Sequence, residues 1–425
     1  MRLLLVHESP LEKIGEEYYA VDPWIRFPQH LAAHCDRLTL WSPVRLREAG
    51  AVPSPESWAV HSPNLRIAPH DDYHTFIGCY ALWPRRVWAW RRRIRKLLRE
   101  HDAVLLRHPS PLIGLVARAA VEVRKPLIVL LVGDLAAQSD RVHGSRGLKR
   151  LLYRGLARFW VGREIRWCRE AALLFAYGES LAARHRSSGV PIVPMQTPHV
   201  SESDFVFRED TCVGSEIRLL RVCWLVPSKG LEILLEAVAA LARQGMNVKL
   251  DVLGKERVKG YQASLQALAA GLGIADRVTF HGWIPFTRLR ERYLAGDIQV
   301  ISSLAEGVPR VIVEGAAHGL PLVCTASGGS ADRLTHEREA LVVPPGDADA
   351  LAGAIRRIVE NPALRRSLIH QGYRLARAAG FETKGIEFLE AIRQVIPLDR
   401  APAPLPAPIP MDALSPAAPV KERSW

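Results

Sequence analysis

Nowhere in these 425 residues does an apolar run approach the roughly 20 residues that a helix needs to cross a bilayer. The longest, PLIVLLVG at 126–133, has the length of a buried strand, and the apolar start MRLLLVHES is cut short by His7 and Glu8 before it can act as a secretory signal. The six cysteines, Cys35, Cys79, Cys168, Cys212, Cys223 and Cys324, include no close pair at metal-ligand spacing. That excludes a zinc framework and a disulfide scaffold and fits a reducing cytosol. No internal repeat at short period is present.

Acidic residues are scarce in the first half. Residues 1–200 carry 30 Lys and Arg against 18 Asp and Glu, so +12 of the formal net charge of +13 lies there. The excess concentrates in two helical patterns, 84–100 and about 146–170. In the first, Val87, Trp90, Ile94, Leu97 and Leu98 recur at helical spacing among seven arginines and a lysine, with Trp83 and Trp88 beside them. A basic, Trp-bearing amphipathic helix suits an anionic membrane surface. It equally suits a core-facing stripe with a solvated basic back. Nucleic acid is not expected as a partner, because no recognised binding motif accompanies the charge.

A chain of this length exceeds one hydrophobic core and suits two domains. Apolar runs at 2–6, 38–41, 103–106, 127–132, 172–176 and 192–195 predict strands of an open α/β sheet, and a second set is expected at 217–226, 248–254, 278–282, 297–302, 321–325 and 340–343. The polar, aperiodic stretch 202–216 reads as a linker. The Pro/Ala-rich segment 397–425 cannot build a core and is expected to be a disordered or polyproline-like tail.

The chemistry concentrates in DIQVISSLAEGVPRVIVEGAAHGLPLVCTASGG, residues 297–329. A buried strand runs into a turn with Glu306 and Gly307, then into a helix expected to start near Val308, Pro309 and Arg310 and to carry Glu314. Pro309 suits a first helical turn, where its missing N–H costs nothing. Open α/β sheets bind ligands at the carboxyl edge of their strands, and free N–H groups at a helix start suit a diphosphate. Gly307 lets a ligand approach the backbone, and both carboxylates are fit to accept sugar hydroxyls. The alternative is a solvated turn and a helix-surface charge. A second strand, turn and amphipathic helix, RLLRVCWLVPSKGLEILLEAVAAL, ends its turn in Lys229 and Gly230.

These segments, with LVVPPGDADALAGAI, resemble the donor half of glycosyltransferase family 4, retaining enzymes of the GT-B fold with a Glu-x7-Glu motif. The resemblance spans about residues 219–355. It implies an α/β chain of two Rossmann-like domains facing a deep interdomain cleft: 1–205 on the acceptor side, 206–375 for the nucleotide-sugar donor, 376–396 as a helix crossing back, then the tail. It implies a metal-independent hexosyltransferase with no cofactor, whose substrate is a nucleotide diphosphate sugar and whose acceptor is a glycan or lipid-linked glycan of the cell envelope or exopolysaccharide. Such an enzyme is expected in the cytoplasm, peripheral on the inner membrane face. Glu306 would lie by the transferred sugar and Glu314 at the ribose, with Lys229 on the diphosphate. The family has Gly-Arg where this chain has Cys223-Trp224. Arg310 is the expected substitute cation. Arg221 is the alternative, although its alternation with Val222 also fits a solvent-facing side chain.

On the acceptor side, Asp134 at the end of a buried strand is a candidate for a sugar or acceptor hydroxyl, or a loop cap. Arg107, His108 and Ser110 follow a neighbouring strand, and Gly15 lies in the opening loop 7–15. Asp347 and Asp349 imitate a metal motif of another transferase fold but are expected to cap a helix. Two further functions fit the same residues: a catalytically silent nucleotide-sugar binder, and a nucleotide-sugar epimerase or hydrolase.

Overall fold

The structure, a computed structural model, describes residues 1–48, 50–54, 56–72, 76–132, 161–195, 198–306, 309–328, 330 and 334–396. Asp134, Gly307, Val308 and the tail 397–425 fall outside the described residues. Within them the chain divides into two compact units: the first runs to residue 195 and takes in 384–396, and the second is 198–383.

The first unit is built on a sheet of β1 (Arg2–Val6), β2 (Leu11–Ile14), β3 (Glu17–Ala20), β4 (Arg37–Leu46), β5 (Trp58–Ala59), β6 (Leu65–His70), β7 (Ala103–His108), β8 (Leu127–Leu131), β9 (Leu173–Tyr177) and β10 (Ile192–Met195). Its order is β10-β9-β8-β7-β1-β4-β2-β3-β5, with β6 also on β4. The strands from β10 to β4 pair in parallel, Leu5 lying between Leu40 and Leu105. Leu3, Leu4, Leu5 and Val6 have no exposure, as expected of a parallel strand covered on both faces. The segment 7–15, expected as the opening loop after the first strand, instead enters a hairpin of β2 and β3, and Gly15 takes φ 59° in its turn. That conformation by itself accounts for a glycine there.

The apolar stripe of the helix Phe76–Arg99 turns inward: Trp90, Ile94, Leu97 and Leu98 join the core that covers the sheet. Of its basic residues, Arg91 and Arg95 pair with Glu122, and Arg86 lies 3.3 Å from Asp71. Arg92, Arg93, Lys96 and Arg99 stay exposed beside Trp88, which is 72% exposed. Core packing thus explains the stripe, and the outer face is left basic.

The second unit has six strands, β11 (Ile217–Val222), β12 (Val248–Leu253), β13 (Val278–Gly282), β14 (Ile298–Ile301), β15 (Leu322–Thr325) and β16 (Leu341–Val343). All are parallel, in the order β13-β12-β11-β14-β15-β16. The helix Leu231–Arg243 buries Leu231, Leu234, Leu235 and Val238 in one core with Leu351, Ile355 and Ile358 of the helix Ala348–Glu360. Each such side chain contributes about 1.5–3 kcal/mol. Asp347 caps the latter helix, its Oδ1 accepting from Ala350 N at 2.8 Å.

Residues 202–216 are not a free linker. Glu202 pairs with Arg377 at 3.0 Å, Asp210 with Arg365 at 2.5 Å, and Tyr373 donates to Val206 O at 2.7 Å. The polarity that suggested a linker supplies these docking contacts. In the helix Phe381–Val395 the chain returns to the first unit from residue 384, where Phe388 stacks on Phe175 at 4.1 Å and meets Phe27 edge-on at 5.4 Å.

Both sheets contain a point where successive strands depart in opposite directions: between β11 and β14, and between β1 and β7. In open α/β sheets ligands bind outside the carboxyl ends of the strands at such points.

Candidate functional site

Two loops meet at the carboxyl ends of β11 and β14. The first closes in a 3₁₀ turn, Pro227–Lys229, and Gly230 at φ 60°. A Cβ on Gly230 would stand 2.1 Å from Ser302 O, so only glycine permits the approach. The loops are then sewn together: Leu304 N donates to Ser228 O at 2.9 Å and Ser302 Oγ to Lys229 O at 3.0 Å. Gly328, at φ 52°, lies against Glu306, whose carbonyl oxygen a Cβ would meet at 1.9 Å.

This packing fixes a charged network. Lys229 Nζ donates to both oxygens of Glu306, at 2.6 Å to Oε1. Ser303 Oγ donates to Glu306 Oε2 at 2.8 Å and accepts from Arg221 Nη2, also at 2.8 Å. Arg221, for which a solvent-facing side chain was one expectation, is 1% exposed, and it also donates to Lys229 O at 3.2 Å. Because β11 is covered on both faces, alternation along it does not lead to water. Arg221 therefore braces the Lys229 turn and the Ser303 hydroxyl from beneath, sealed from any ligand.

Pro309 is the N-cap of the helix Arg310–Ala317, one step before the helical turn it was expected to open. Arg310 is exposed at the helix start. Glu314 is no surface charge. It is 8% exposed and accepts from Tyr293 OH at 2.8 Å, and His318 stacks on Tyr293 at 4.8 Å between ring centres. Burial, then the Glu314 charge, hold the Tyr293 phenol well above its ordinary pKa. Lys229, Gly230 and Glu306 thus come together directly, while Glu314 is oriented separately by Tyr293.

In the first unit the carboxyl ends of β1 and β7 gather a different set. Ser110 Oγ donates to Glu8, and Leu112 N donates to Ser110 Oγ at 3.0 Å. Burial pushes the Glu8 carboxyl up to about 8, against the opposing pull of the Ser110 hydroxyl and the Arg107 charge. Arg107 lies 4.8 Å over the Trp24 ring and 3.7 Å from Asp22 Oδ2. His7 stacks on the same Trp24 at 4.7 Å, and burial, then Arg107, push its pKa down to about 3. His108 points inward: its Nδ1 accepts from Ser110 N at 3.0 Å and its Nε2 lies 3.1 Å from Glu164, which also faces His185 at 2.9 Å. Burial would raise the Glu164 carboxyl, but the two histidines draw it down to about 2. Glu8, Asp22 and Trp24 were not singled out from sequence. The signal available for Glu8 was its position immediately beyond β1.

Among the described residues no group of three or more His, Cys, Asp or Glu is placed to hold a metal ion, and no helix is long and apolar enough to cross a membrane.

The second unit carries the loops, the ion pair and the parallel sheet with its reversal. That segment, residues 208–375, matches the family model described as glycosyl transferases group 1. It is a glycosyltransferase group 1 domain. The lipopolysaccharide core biosynthesis glycosyltransferase LpsE of Rhizobium meliloti is 38% identical over 149 residues, 35% of this chain and 41% of that protein. For LpsD of the same organism, 39% identical, the match covers 34% of the relative, so the chain spans well under half the length of these relatives. Protein CapJ of Staphylococcus aureus is 22% identical over 92% of this chain and 95% of its own. Among solved structures, Anabaena Alr3699/HepE, crystallised with UDP, superposes with a TM-score of 0.61 at 16% identity, covering 93% of this chain and all of that one. The fold is that of two-domain GT-B glycosyltransferases, each domain Rossmann-like.

Proposed function

We propose that the chain is a retaining, metal-independent glycosyltransferase that moves a hexosyl group from a nucleoside diphosphate sugar to a glycan or lipid-linked acceptor. Its product would belong to the cell envelope or to an exopolysaccharide. The observation that carries this reading is the Lys229–Glu306–Ser303–Arg221 network at the strand-order reversal of the second unit. The relatives' roles in lipopolysaccharide synthesis, and the UDP bound by the Anabaena protein, support it.

In this reading Glu306 orients the donor sugar and Glu314 receives the ribose hydroxyls. Lys229 spends two N–H groups on Glu306, and its third is available to a phosphate oxygen. As the bond from the anomeric carbon to the phosphate oxygen breaks, its electron pair goes to the diphosphate. The acceptor oxygen bonds to the same carbon and its proton passes to the leaving phosphate. The backbone N–H groups of the first helical turn, from Arg310 onward, favour the negative charge that develops there. Glu8, Arg107 and Ser110 would hold the acceptor, on the first unit.

Glu306→Ala tests the reading. Donor hydrolysis and transfer should fall about 100-fold or more, the loss typical of a group that acts on the transition state, with the thermal midpoint little changed. A wild-type chain that binds a nucleoside diphosphate yet neither transfers nor hydrolyses its sugar would favour the silent binder, the reading that Trp224 in place of the family arginine suggests.

The basic outer face of the helix Phe76–Arg99, with Trp88 projecting from it, fits a cytoplasmic-side anionic membrane where a lipid-linked acceptor resides. Sedimentation with phosphatidylglycerol vesicles should show binding that Arg92→Glu with Arg93→Glu abolishes. Equal sedimentation of the variant would remove the membrane from this account.

A further inference from the structure

The ion pair that marks the donor site leaves a shortage of positive charge. Lys229 is matched by Glu306, and Arg221, 1% exposed, reaches no ligand. A diphosphate gathering charge as it leaves needs a cation in reach of water, beyond the Arg310 already considered.

The loop after β12 supplies one. It is stitched to the end of β11: Leu225 N donates to Lys255 O at 3.0 Å and Arg257 N to Leu225 O at 3.2 Å. Gly254, at φ 147°, sits so close to Cys223 that a Cβ would stand 1.7 Å from its carbonyl oxygen. This clamp places Arg257 beside Trp224, and the guanidinium carbon lies 3.8 Å from the centre of the indole. Trp224 is 42% exposed, so its indole is open to a partner. Arg257 is exposed and has no carboxylate partner among the described residues. Its neighbours Lys255 and Lys259 are exposed too, so the rim is uniformly cationic apart from Glu256, whose Oε1 is engaged by Gln262 N at 2.9 Å.

We propose that Arg257, held over the Trp224 ring, is a ligand of the leaving diphosphate. Resting on the donor-site reading above, this gives the tryptophan a purpose: it is the platform that carries a cation from the next loop to the β11 edge. A planar guanidinium stacks on an indole without losing its N–H groups, which lie in its own plane and remain free to grip two phosphate oxygens together. Lysine in that place would offer a single point charge.

The test is calorimetric titration with uridine, guanosine and adenosine diphosphates and with the three nucleosides. Arg257→Ala should weaken the tightest diphosphate about tenfold, as the loss of one charge-assisted contact predicts, and leave the corresponding nucleoside unchanged. Adding Trp224→Arg to that variant, so that the cation comes from β11 itself, should restore the affinity. The inference is overturned if Arg257→Ala binds the diphosphate as the wild type does, or if the nucleoside suffers equally. It is also overturned if the double variant, with wild-type circular dichroism and thermal midpoint, stays weak. A wild-type chain that binds none of the three diphosphates would overturn the donor-site reading itself.

Discussion

Two strand-order reversals on one chain have been furnished in different ways. At β11 and β14 a cation and a carboxylate face each other, Lys229 on Glu306, and a second cation is buried behind them. At β1 and β7 Arg107 lies 3.7 Å from Asp22, but Glu8 is engaged by the Ser110 hydroxyl, and burial pushes its carboxyl up to about 8 against the pull of that hydroxyl and of Arg107. The first arrangement keeps charges ready for a charged ligand. The second offers a neutral acid, able to donate as well as accept, which suits hydroxyl groups. In the proposed reading, topology sets where ligands go, and local desolvation sets which kind of group can greet them.

Glycine substitutions should break this comparison most visibly. Gly230 and Gly15 share the left-handed conformation, φ 60° and 59°, but a Cβ on Gly230 would collide with Ser302 O at 2.1 Å while one on Gly15 would meet nothing within 4 Å. Gly15→Ala should cost about 1–2 kcal/mol of conformational strain and no more. Gly230→Ala adds the forced parting of two loops, so about 3 kcal/mol or more is expected together with loss of nucleoside diphosphate binding. Urea midpoints and calorimetry on both variants check it. Equal losses would mean that the Gly230 contact does not hold the Lys229 turn in place.

That loop pair also shows what sequence could and could not reveal. Lys229, Glu306 and Glu314 could be proposed as site residues because each sits a few residues beyond or within a strongly patterned element, and the strands β11 to β16 announce themselves as short apolar runs. Arg221 was misjudged for the same reason that β11 was found: a strand buried on both faces gives no alternation by which to tell inside from outside. Ser303, three residues from Glu306, joins it to Arg221 82 positions away, which no local pattern encodes. The stretch 202–216 looked like a linker because its partners, Arg365, Tyr373 and Arg377, lie about 155–175 positions away along the chain. In the first unit the cluster draws on residues 7, 8, 22, 24, 107 and 110, and of these only Arg107 and Ser110, in and just after β7, were singled out from sequence.

The protonated acid itself provides the finer test. Unfolded, Glu8 ionises near 4.5, and folded near 8, so the folded state binds an extra proton between those values. Its contribution is therefore most favourable below pH 4.5 and is lost as pH rises towards 8, at about 1.4 kcal/mol per pH unit. His7, lowered to about 3, works the other way, losing stability as pH falls from 6.5 towards 3, so the wild-type curve alone mixes the two. Glu8→Gln removes one and keeps the other. The stability of Glu8→Gln relative to wild type, from urea unfolding at intervals between pH 5 and pH 7.5, should climb with pH at close to that slope. A difference independent of pH would show Glu8 ionising as an ordinary surface carboxylate. Glu8 would then be a charged acid as Glu306 is, and the proposed division between a site for phosphate and a site for hydroxyls would lose its physical basis.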